Sequence, residues 1–231
     1  MIKQIVYTHS NCSDIWEMFI KQNKKHVDYP LYIITNKIIP NFPKENQFIY
    51  SDNDHYSDVW IEVLSKIDSD FFIYLQEDFI LYDDVKKNKI NEYAETLKGG
   101  DYSFVRLIKS GEVNQKISDT LYEISSNNPF IFGMQTSIWK TKDYVNILKN
   151  VHEDKWLETN KYFDYMSKNN IKGLCHYNNE PKRGENHYDS DVYPYIATAL
   201  VKGKWIMSEY SFELGSILEK YNIDINKRGT I

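Results

Sequence analysis

Two adjacent carboxylates, Glu77 and Asp78, interrupt an apolar stretch of the chain. The β-prone residues 71–75 before them predict a buried central strand. Because a bare charge in the middle of a buried strand needs a partner, we expect both acids where the strand ends and opens into a cleft. Open α/β sheets bind ligands at that edge, and carboxylates there suit a hard divalent cation with its phosphate ligands. The alternative is a strand end whose acids face water.

Strand and helix patterns alternate through the first part of the chain. Residues 2–35 read as strand, polar loop, helix and strand, which is a βαβ unit with parallel strands. Further strands are expected at 47–50 and 71–75, with a helix between them. We therefore predict an α/β fold with a mostly parallel sheet flanked by helices. Ser13, Ser57 and Thr141 are expected to cap helices.

The second half alternates less strictly, so mixed strand directions are expected there. Strands are predicted at 103–108, 116–125, 130–139, 171–177 and 193–201, and helices at 84–97, from 141, from 152 and at 209–221. Residues 178–191 are polar and contain Pro181 and Gly184, so they are expected to form a loop. His176 and His187, at and within this region, are possible metal or phosphate contacts.

Charge and cysteine usage exclude several classes of partner. The formal net charge is −5 and no basic block stands out, so no nucleic-acid partner is expected. The two cysteines, Cys12 and Cys175, lack metal-type spacing, so reduced thiols and a cytoplasmic location are expected. We expect neither a signal peptide nor a transmembrane segment, because no apolar run reaches the necessary length.

The order of these parts resembles the nucleotide-sugar-dependent glycosyltransferases of the GT-A fold. The resemblance covers most of residues 1–205. It is carried by the polar loop 8–11 directly after the first strand, by Gln76-Glu77-Asp78, by the Gly-Met-Gln-Thr-Ser-Ile-Trp stretch at 133–139 and by the acidic segment 153–158. It implies a single Rossmann-like domain over residues 1–231, with a nucleotide-binding half at 1–100 and an acceptor-side half at 101–231. The implied reaction moves a sugar from a nucleotide-diphosphate sugar, with a UDP-sugar expected, to a glycan or another hydroxyl acceptor.

The resemblance also implies Mn²⁺ or Mg²⁺ on the diphosphate of the donor. The family usually carries Asp-x-Asp, and here Gln76 and Asp78 occupy the two motif positions, with Glu77 between them. An amide is a poorer ligand for such a cation than a carboxylate. Asp78 is therefore the expected principal ligand and Glu77 a second one.

By the same resemblance, Thr8, His9 and Ser10 meet the nucleoside of the donor. Asn36 and Asp52 follow other strands at the same predicted edge. An aspartate there can accept a ribose hydroxyl or a uracil N–H. Each of these residues could equally make only a turn or a cap.

A transferase of the inverting type needs a general base near the acceptor. Glu153, Asp154 and Glu158 are the candidates, with Asp154 and Glu158 preferred. Because acids are also favoured at helix starts, capping is the competing explanation.

Three basic residues are further candidates for donor contacts. Arg106 lies among apolar neighbours, so it contacts either the sugar or diphosphate, or forms a salt bridge with Asp101. Lys202 and Lys204 flank Gly203 and either meet phosphate oxygens or lie in a plain hairpin turn.

Two other functions are compatible with parts of the sequence. A sugar-1-phosphate nucleotidyltransferase uses a similar sheet, but that class places a glycine-rich loop after its first strand, and residues 8–12 contain no glycine. A non-catalytic carbohydrate-binding protein would use the aromatic content of 15%, but such modules are more often all-β. An AT-rich genome could also produce the tyrosine excess.

Overall fold

The structure is a computed structural model that describes residues 1–151 and 157–231. Up to α3, each helix is flanked by strands, with two strands between successive helices, and the order is less regular afterwards. In chain order the elements are β1 (Lys3–Tyr7), α1 (Ser13–His26), β2 (Leu31–Thr35), β3 (Gln47–Ile49), α2 (Tyr56–Lys66), β4 (Phe71–Gln76), β5 (Ile80–Leu81), α3 (Lys87–Gly99), β6 (Tyr102–Arg106), β7 (Leu121–Ile124), β8 (Ser137–Lys140), α4 (Thr141–Asn150), α5 (Thr159–Lys168), β9 (Lys172–His176), β10 (Tyr195–Ile196), β11 (Leu200–Val201), β12 (Lys204–Trp205) and α6 (Ser211–Lys220).

The main sheet has eight strands in the order β3-β2-β1-β4-β8-β6-β9-β7. β8 runs antiparallel to both β4 and β6, and β7 runs antiparallel to β9. The other pairings of the sheet are parallel. The predicted mostly parallel mixed sheet is therefore confirmed. The carboxyl ends of β1, β2, β3, β4, β6 and β9 share one edge of it.

Helices cover both faces of the sheet. In β4, Phe72 and Tyr74 pack against Trp60 of α2. Gln4 lies beside Ile73 in the register and hydrogen-bonds Asn23 of α1, so α1 covers the opposite face. Because alternate strand residues point to opposite faces, residues 71–75 must be apolar throughout, as the sequence indicates.

Several predicted boundaries in the second half were wrong. The strand predicted at 130–139 forms only from Ser137 onwards, as β8, and residues 130–136 are not in a strand. The strand predicted at 116–125 is shorter, because only β7 forms there. The turn at 129–132 is held by Arg106, whose Nη2 donates to the carbonyls of Phe130 (2.6 Å) and Ile131 (3.1 Å). A side-chain clamp of this kind replaces the strand ladder, and no local pattern indicates it.

The predicted helix caps were displaced by one or two residues. Cys12, His55 and Lys140 occupy the N-cap positions of α1, α2 and α4. Ser13, Ser57 and Thr141 lie inside the first turns. The Thr141 hydroxyl donates instead to the Ser69 carbonyl at 2.7 Å, which joins α4 to the segment before β4. In the part of the chain that the structure describes, no helix is long and apolar enough to cross a membrane.

Candidate functional site

The two acids lie where the strand pattern placed them. β4 ends at Gln76, and the Phe79 N–H donates to the Gln76 carbonyl at 3.1 Å, so Glu77 and Asp78 occupy a turn before β5. Both side chains are partly buried. Asp78 Oδ2 accepts a long hydrogen bond, 3.4 Å, from the Leu200 N–H. The alternative of two fully solvated acids is therefore wrong.

Burial changes the acidity of both groups. It raises the pKa of Asp78 to about 7, and the neighbouring Glu77 charge adds to this rise. Burial also raises the pKa of Glu77, against hydrogen bonds from Cys12 and Thr8 and the charge of Arg228. Two neighbouring acids that are costly to ionise in the protein alone fit a divalent cation, because the cation supplies the missing positive charge.

A cavity of about 350 Å³ opens above these acids. It is bounded by the end of β1, by the β4–β5 turn and by Leu200 and Gly203 of the β11–β12 hairpin. A second cavity of about 190 Å³ adjoins it and shares Tyr7, Tyr50, His9 and Gln76 as lining residues. The second cavity is more aromatic, because Tyr56 and Tyr74 also line it, together with Asp52, Asp54, Met134 and Leu157.

Three of the expected nucleoside contacts form one polar network at this edge. Asn36 Nδ2 donates to Asp52 Oδ1 at 3.0 Å and lies 2.8 Å from His9 Nε2. His9 Nε2 lies 3.3 Å from Asp52 Oδ1. The Ser10 N–H donates to Asn36 Oδ1 at 2.8 Å, which brings the fourth residue to the same place. The sequence therefore placed His9, Ser10, Asn36 and Asp52 together correctly.

Thr8 lies deeper than its neighbours. It is buried, and its Oγ1 accepts from Trp16 Nε1 at 2.9 Å. Its carbonyl accepts from the Tyr50 hydroxyl at 3.1 Å. Thr8 lines the larger cavity, but its hydroxyl also connects β1 to α1.

The two lysines lie at a hairpin turn beside the larger cavity. Lys202 and Gly203 both have positive φ, +50° and +77°, and connect the antiparallel β11 and β12. Positive φ at both central residues is typical of a tight two-residue hairpin, and it suits glycine at the second position. Lys202 and Lys204 are exposed. The turn is thus shown, while the phosphate contact stays a prediction.

Arg228 is a charged residue of the site that sequence reasoning missed. Its Nε donates to Asp14 Oδ2 at 2.8 Å, its Nη2 to the Asn11 carbonyl at 3.0 Å and its Nη1 to the Gly203 carbonyl at 3.3 Å. Its positive charge also offsets part of the rise in the pKa of Glu77 that burial causes. No spacing signal could connect residues 14 and 228, because the contact depends on how the C-terminal segment folds back.

Arg106 is fully buried and has a structural partner. The expected salt bridge with Asp101 is not among its contacts in the described residues; the carbonyls at 130 and 131 take that place. Burial lowers the pKa of the guanidinium. A Cβ at Gly133 would lie 2.8 Å from Arg106 Nη2 and 3.0 Å from the Phe130 carbonyl oxygen, so a larger residue there would disturb this contact. Contact with a donor stays a prediction.

The candidate bases fall at the edge of the described region. Glu153 and Asp154 lie outside the described residues. Glu158 occupies the N-cap position of α5, makes no side-chain cap hydrogen bond and forms an ion pair with Lys161. Its neighbour Leu157 lines the aromatic cavity, so Glu158 lies near that cavity. Of the helix predicted from 152, α5 forms over Thr159–Lys168, and residues 152–156 lie outside the described residues.

No protein-family profile and no curated protein sequence matches the chain. Among solved structures, the chain is similar to a putative glucose-1-phosphate thymidylyltransferase from Bacillus anthracis, with a TM-score of 0.50, 11% identity and coverage of 97% of this chain and 96% of that chain. It is also similar to residues 1–349 of S. aureus TarS, with a TM-score of 0.49, 12% identity and coverage of 98% and 68%. The chain covers 47% of the bifunctional IspDF of Campylobacter jejuni, at 14% identity, a TM-score of 0.42 and 71% coverage of this chain. At these identities the likeness shows the fold alone, a Rossmann-like mixed α/β fold.

Proposed function

We propose that this protein is a nucleotide-sugar-dependent glycosyltransferase of the GT-A type. The observation that carries the proposal is the pair of partly buried acids, Glu77 and Asp78, under a cavity at the carboxyl edge of a mostly parallel sheet. Ligands of open α/β sheets bind at this edge. The donor we propose is a UDP-sugar, and the acceptor is a glycan or another molecule with a free hydroxyl.

The nucleoside of the donor is proposed to occupy the aromatic cavity. Tyr7 and Tyr50 both line this cavity, with stacked rings whose centroids lie 5.0 Å apart, and they offer aromatic surface to a base or a ribose. The network of His9, Asn36 and Asp52 lies at the same cavity and offers a carboxylate to a uracil N–H or a ribose hydroxyl. Thr8 and Ser10 complete the proposed contacts from the end of β1.

The diphosphate is proposed to lie in the larger cavity. Asp78 and Glu77 would hold Mn²⁺ or Mg²⁺ there, and the bound cation would neutralise charge on the departing nucleoside diphosphate. Arg228 sets a fixed positive charge near Glu77. Lys202 and Lys204, on the exposed hairpin, are proposed to add phosphate contacts.

The acceptor is proposed to be activated by an acid from the segment 153–158, within the acceptor-side half 101–231 of a single domain. Glu158 is the described member; it is partly buried and directly follows Leu157, which lines the aromatic cavity. A carboxylate there would take the proton of the attacking hydroxyl. Asp154 and Glu153 are the other proposed bases, and Arg106 is the proposed donor contact from this half.

A sugar-1-phosphate nucleotidyltransferase is the second candidate, because the chain shares its fold over nearly full length with the putative thymidylyltransferase. The loop after β1 favours the first candidate. Its N–H groups at Ser10, Asn11 and Cys12 already donate to Asn36 Oδ1, His9 Nδ1 and the His9 carbonyl. They are therefore not free to bind a triphosphate, which that class must hold.

One assay separates these functions. The protein is incubated with Mn²⁺ and a panel of nucleotide sugars, and release of the nucleoside diphosphate is measured by chromatography. Slow hydrolysis of one donor, faster with a hydroxyl acceptor, supports the glycosyltransferase. In a parallel incubation with a nucleoside triphosphate and a sugar 1-phosphate, release of pyrophosphate supports the nucleotidyltransferase instead. A carbohydrate-binding protein would do neither.

A further inference from the structure

We propose that His176, Glu180 and Asp191 form a second metal site, for Zn²⁺ or a similar transition metal. The three residues lie at the carboxyl end of β9 and at both ends of the polar loop 178–191. Their ligating atoms lie within 4.8 Å of one another. The proposal concerns a different place and a different kind of cation from the proposed donor site.

The geometry brings three ligand atoms to one point. His176 Nε2 lies 2.7 Å from Glu180 Oε1 and 2.7 Å from Asp191 Oδ1. A single imidazole N–H can make one straight, short hydrogen bond, so it serves only one of these oxygens well. Tetrahedral ligands of Zn²⁺, at about 2.0–2.2 Å from the metal, lie roughly 3.4 Å from one another. Metal binding would therefore widen each of the two 2.7 Å separations by about 0.7 Å, which small side-chain rotations can supply.

Each of the three residues is oriented by a partner outside the group. His176 Nδ1 lies 2.8 Å from the Tyr93 hydroxyl. Asp191 Oδ2 accepts from Lys86 Nζ at 2.7 Å, and Glu180 Oε2 accepts from the Asn178 N–H at 2.5 Å. The atoms that point away from the meeting point are thus occupied. Of the three convergent atoms, Glu180 Oε1 also accepts a long hydrogen bond, 3.4 Å, from the Asp191 N–H, and all three remain within reach of one cation. Metal-binding histidines and carboxylates are typically oriented by partners of this kind.

Burial and charge favour a cation at this point. His176 and Glu180 are 1% and 9% exposed, so neither relies on bulk water. Lys86 balances the charge of Asp191, while Glu180 has no lysine or arginine partner among the described ion pairs. The missing charge can come from a proton on the imidazole or from a metal. A nitrogen ligand with two carboxylates suits Zn²⁺ better than Mg²⁺, which prefers oxygen ligands alone.

The site is separate from the acids at β4. Strands β8 and β6 lie between β4 and β9 in the sheet, which corresponds to about 14 Å at the usual spacing of neighbouring strands. A metal here would fasten the loop 178–191 to β9 and to the start of α3. Its expected effect is to order this loop.

The test is Zn²⁺ binding to the full chain after treatment with EDTA, measured by calorimetry in excess Mg²⁺ so that the oxygen-only site is occupied. The variants are His176→Asn and Asp191→Asn. His187→Asn is the matched control, because His187 is also buried and pairs with one carboxylate, Glu209. Asp78→Asn reports on the other site. Circular dichroism checks that each variant is folded.

The proposal predicts one Zn²⁺ per chain in the wild type, His187→Asn and Asp78→Asn. It predicts affinity at least about 100-fold weaker in His176→Asn and Asp191→Asn. X-ray absorption of the wild-type zinc protein should show one imidazole with oxygen ligands. If the variants do not fold, this measurement on the wild type tests the proposal by itself. An absence of stoichiometric Zn²⁺, unchanged affinity in folded His176→Asn and Asp191→Asn, or a zinc without an imidazole ligand would overturn the proposal in favour of an imidazolium ion cluster.

Discussion

The two halves of the chain are organised by different interactions. In residues 1–81, parallel strands end at one edge, and polar residues directly after them meet there. In residues 101–201, short strands are joined by side chains that bind distant backbone or charged groups, such as Arg106 on the carbonyls at 130 and 131. The comparison teaches that a site made from consecutive strand ends follows from strand order, whereas a site made by long-range polar contacts does not.

The largest expected effect tests the packing of the second half. A Cβ at Gly173 would lie 2.1 Å from the Phe104 ring, within the β6–β9 pair. Gly173→Ala is therefore expected to lower the free energy of unfolding by about 3 kcal/mol. Gly215→Ala is the control, because its Cβ meets nothing within 4 Å in helix α6, and it should raise stability by about 0.5–1 kcal/mol. Urea unfolding measures both; equal effects would contradict the packing argument.

The next effect tests the proposed base in the second half. Glu158→Gln keeps the size of the side chain but removes its ability to take a proton. Turnover of the transfer reaction should fall about 100-fold, with little change in donor affinity, since the base acts on the acceptor. Asp154→Asn is measured in parallel. If both variants retain near-normal turnover, the base lies elsewhere or the enzyme retains configuration.

A smaller effect tests the first half. Thr8→Val removes the acceptor of the Trp16 indole N–H, which is buried beside α1. An unpaired buried donor of this kind costs about 1–3 kcal/mol. Thermal unfolding should show a loss of about 2 kcal/mol. A loss below the error of the measurement would mean that the indole finds another partner.

The smallest effect is a pH dependence that follows from Asp78. Its pKa in the folded, metal-free protein is about 7, above the value of about 3.9 in an unfolded chain. The unfolded chain therefore releases this proton first, so the contribution of Asp78 to stability falls as pH rises from about 4 to 7. A fall of about 1.4 kcal/mol, one pKa unit, is expected, because solvent screening of this partly exposed carboxylate reduces the effect of the full shift. Asp78→Asn should remove this part of the pH profile, and an unchanged profile would contradict the burial of the acid.

Much of the first half could be predicted from sequence. The apolar run at 71–75 predicts β4, and the order of strands along the chain predicts that His9, Asn36 and Asp52 lie at one edge, as the structure shows. The strand patterns could not show that the C-terminal Arg228 reaches Asp14, or that His176 meets Asp191. These contacts depend on how distant segments pack, and a single polar residue in a loop leaves no period to detect.

The central claim is that Asp78 holds a cation shared with the diphosphate of the donor. The most direct measurement is calorimetric titration of UDP with Mn²⁺ and with EDTA, in the wild type, Asp78→Asn and Asp68→Asn. Asp68 is an exposed aspartate before the start of β4, so its variant has the same chemical change at the other end of the strand. We expect Mn²⁺ to strengthen UDP binding at least about tenfold, or 1.4 kcal/mol, in the wild type and Asp68→Asn. Asp78→Asn should lose this enhancement while it remains folded. An undiminished Mn²⁺ enhancement in Asp78→Asn would contradict the account.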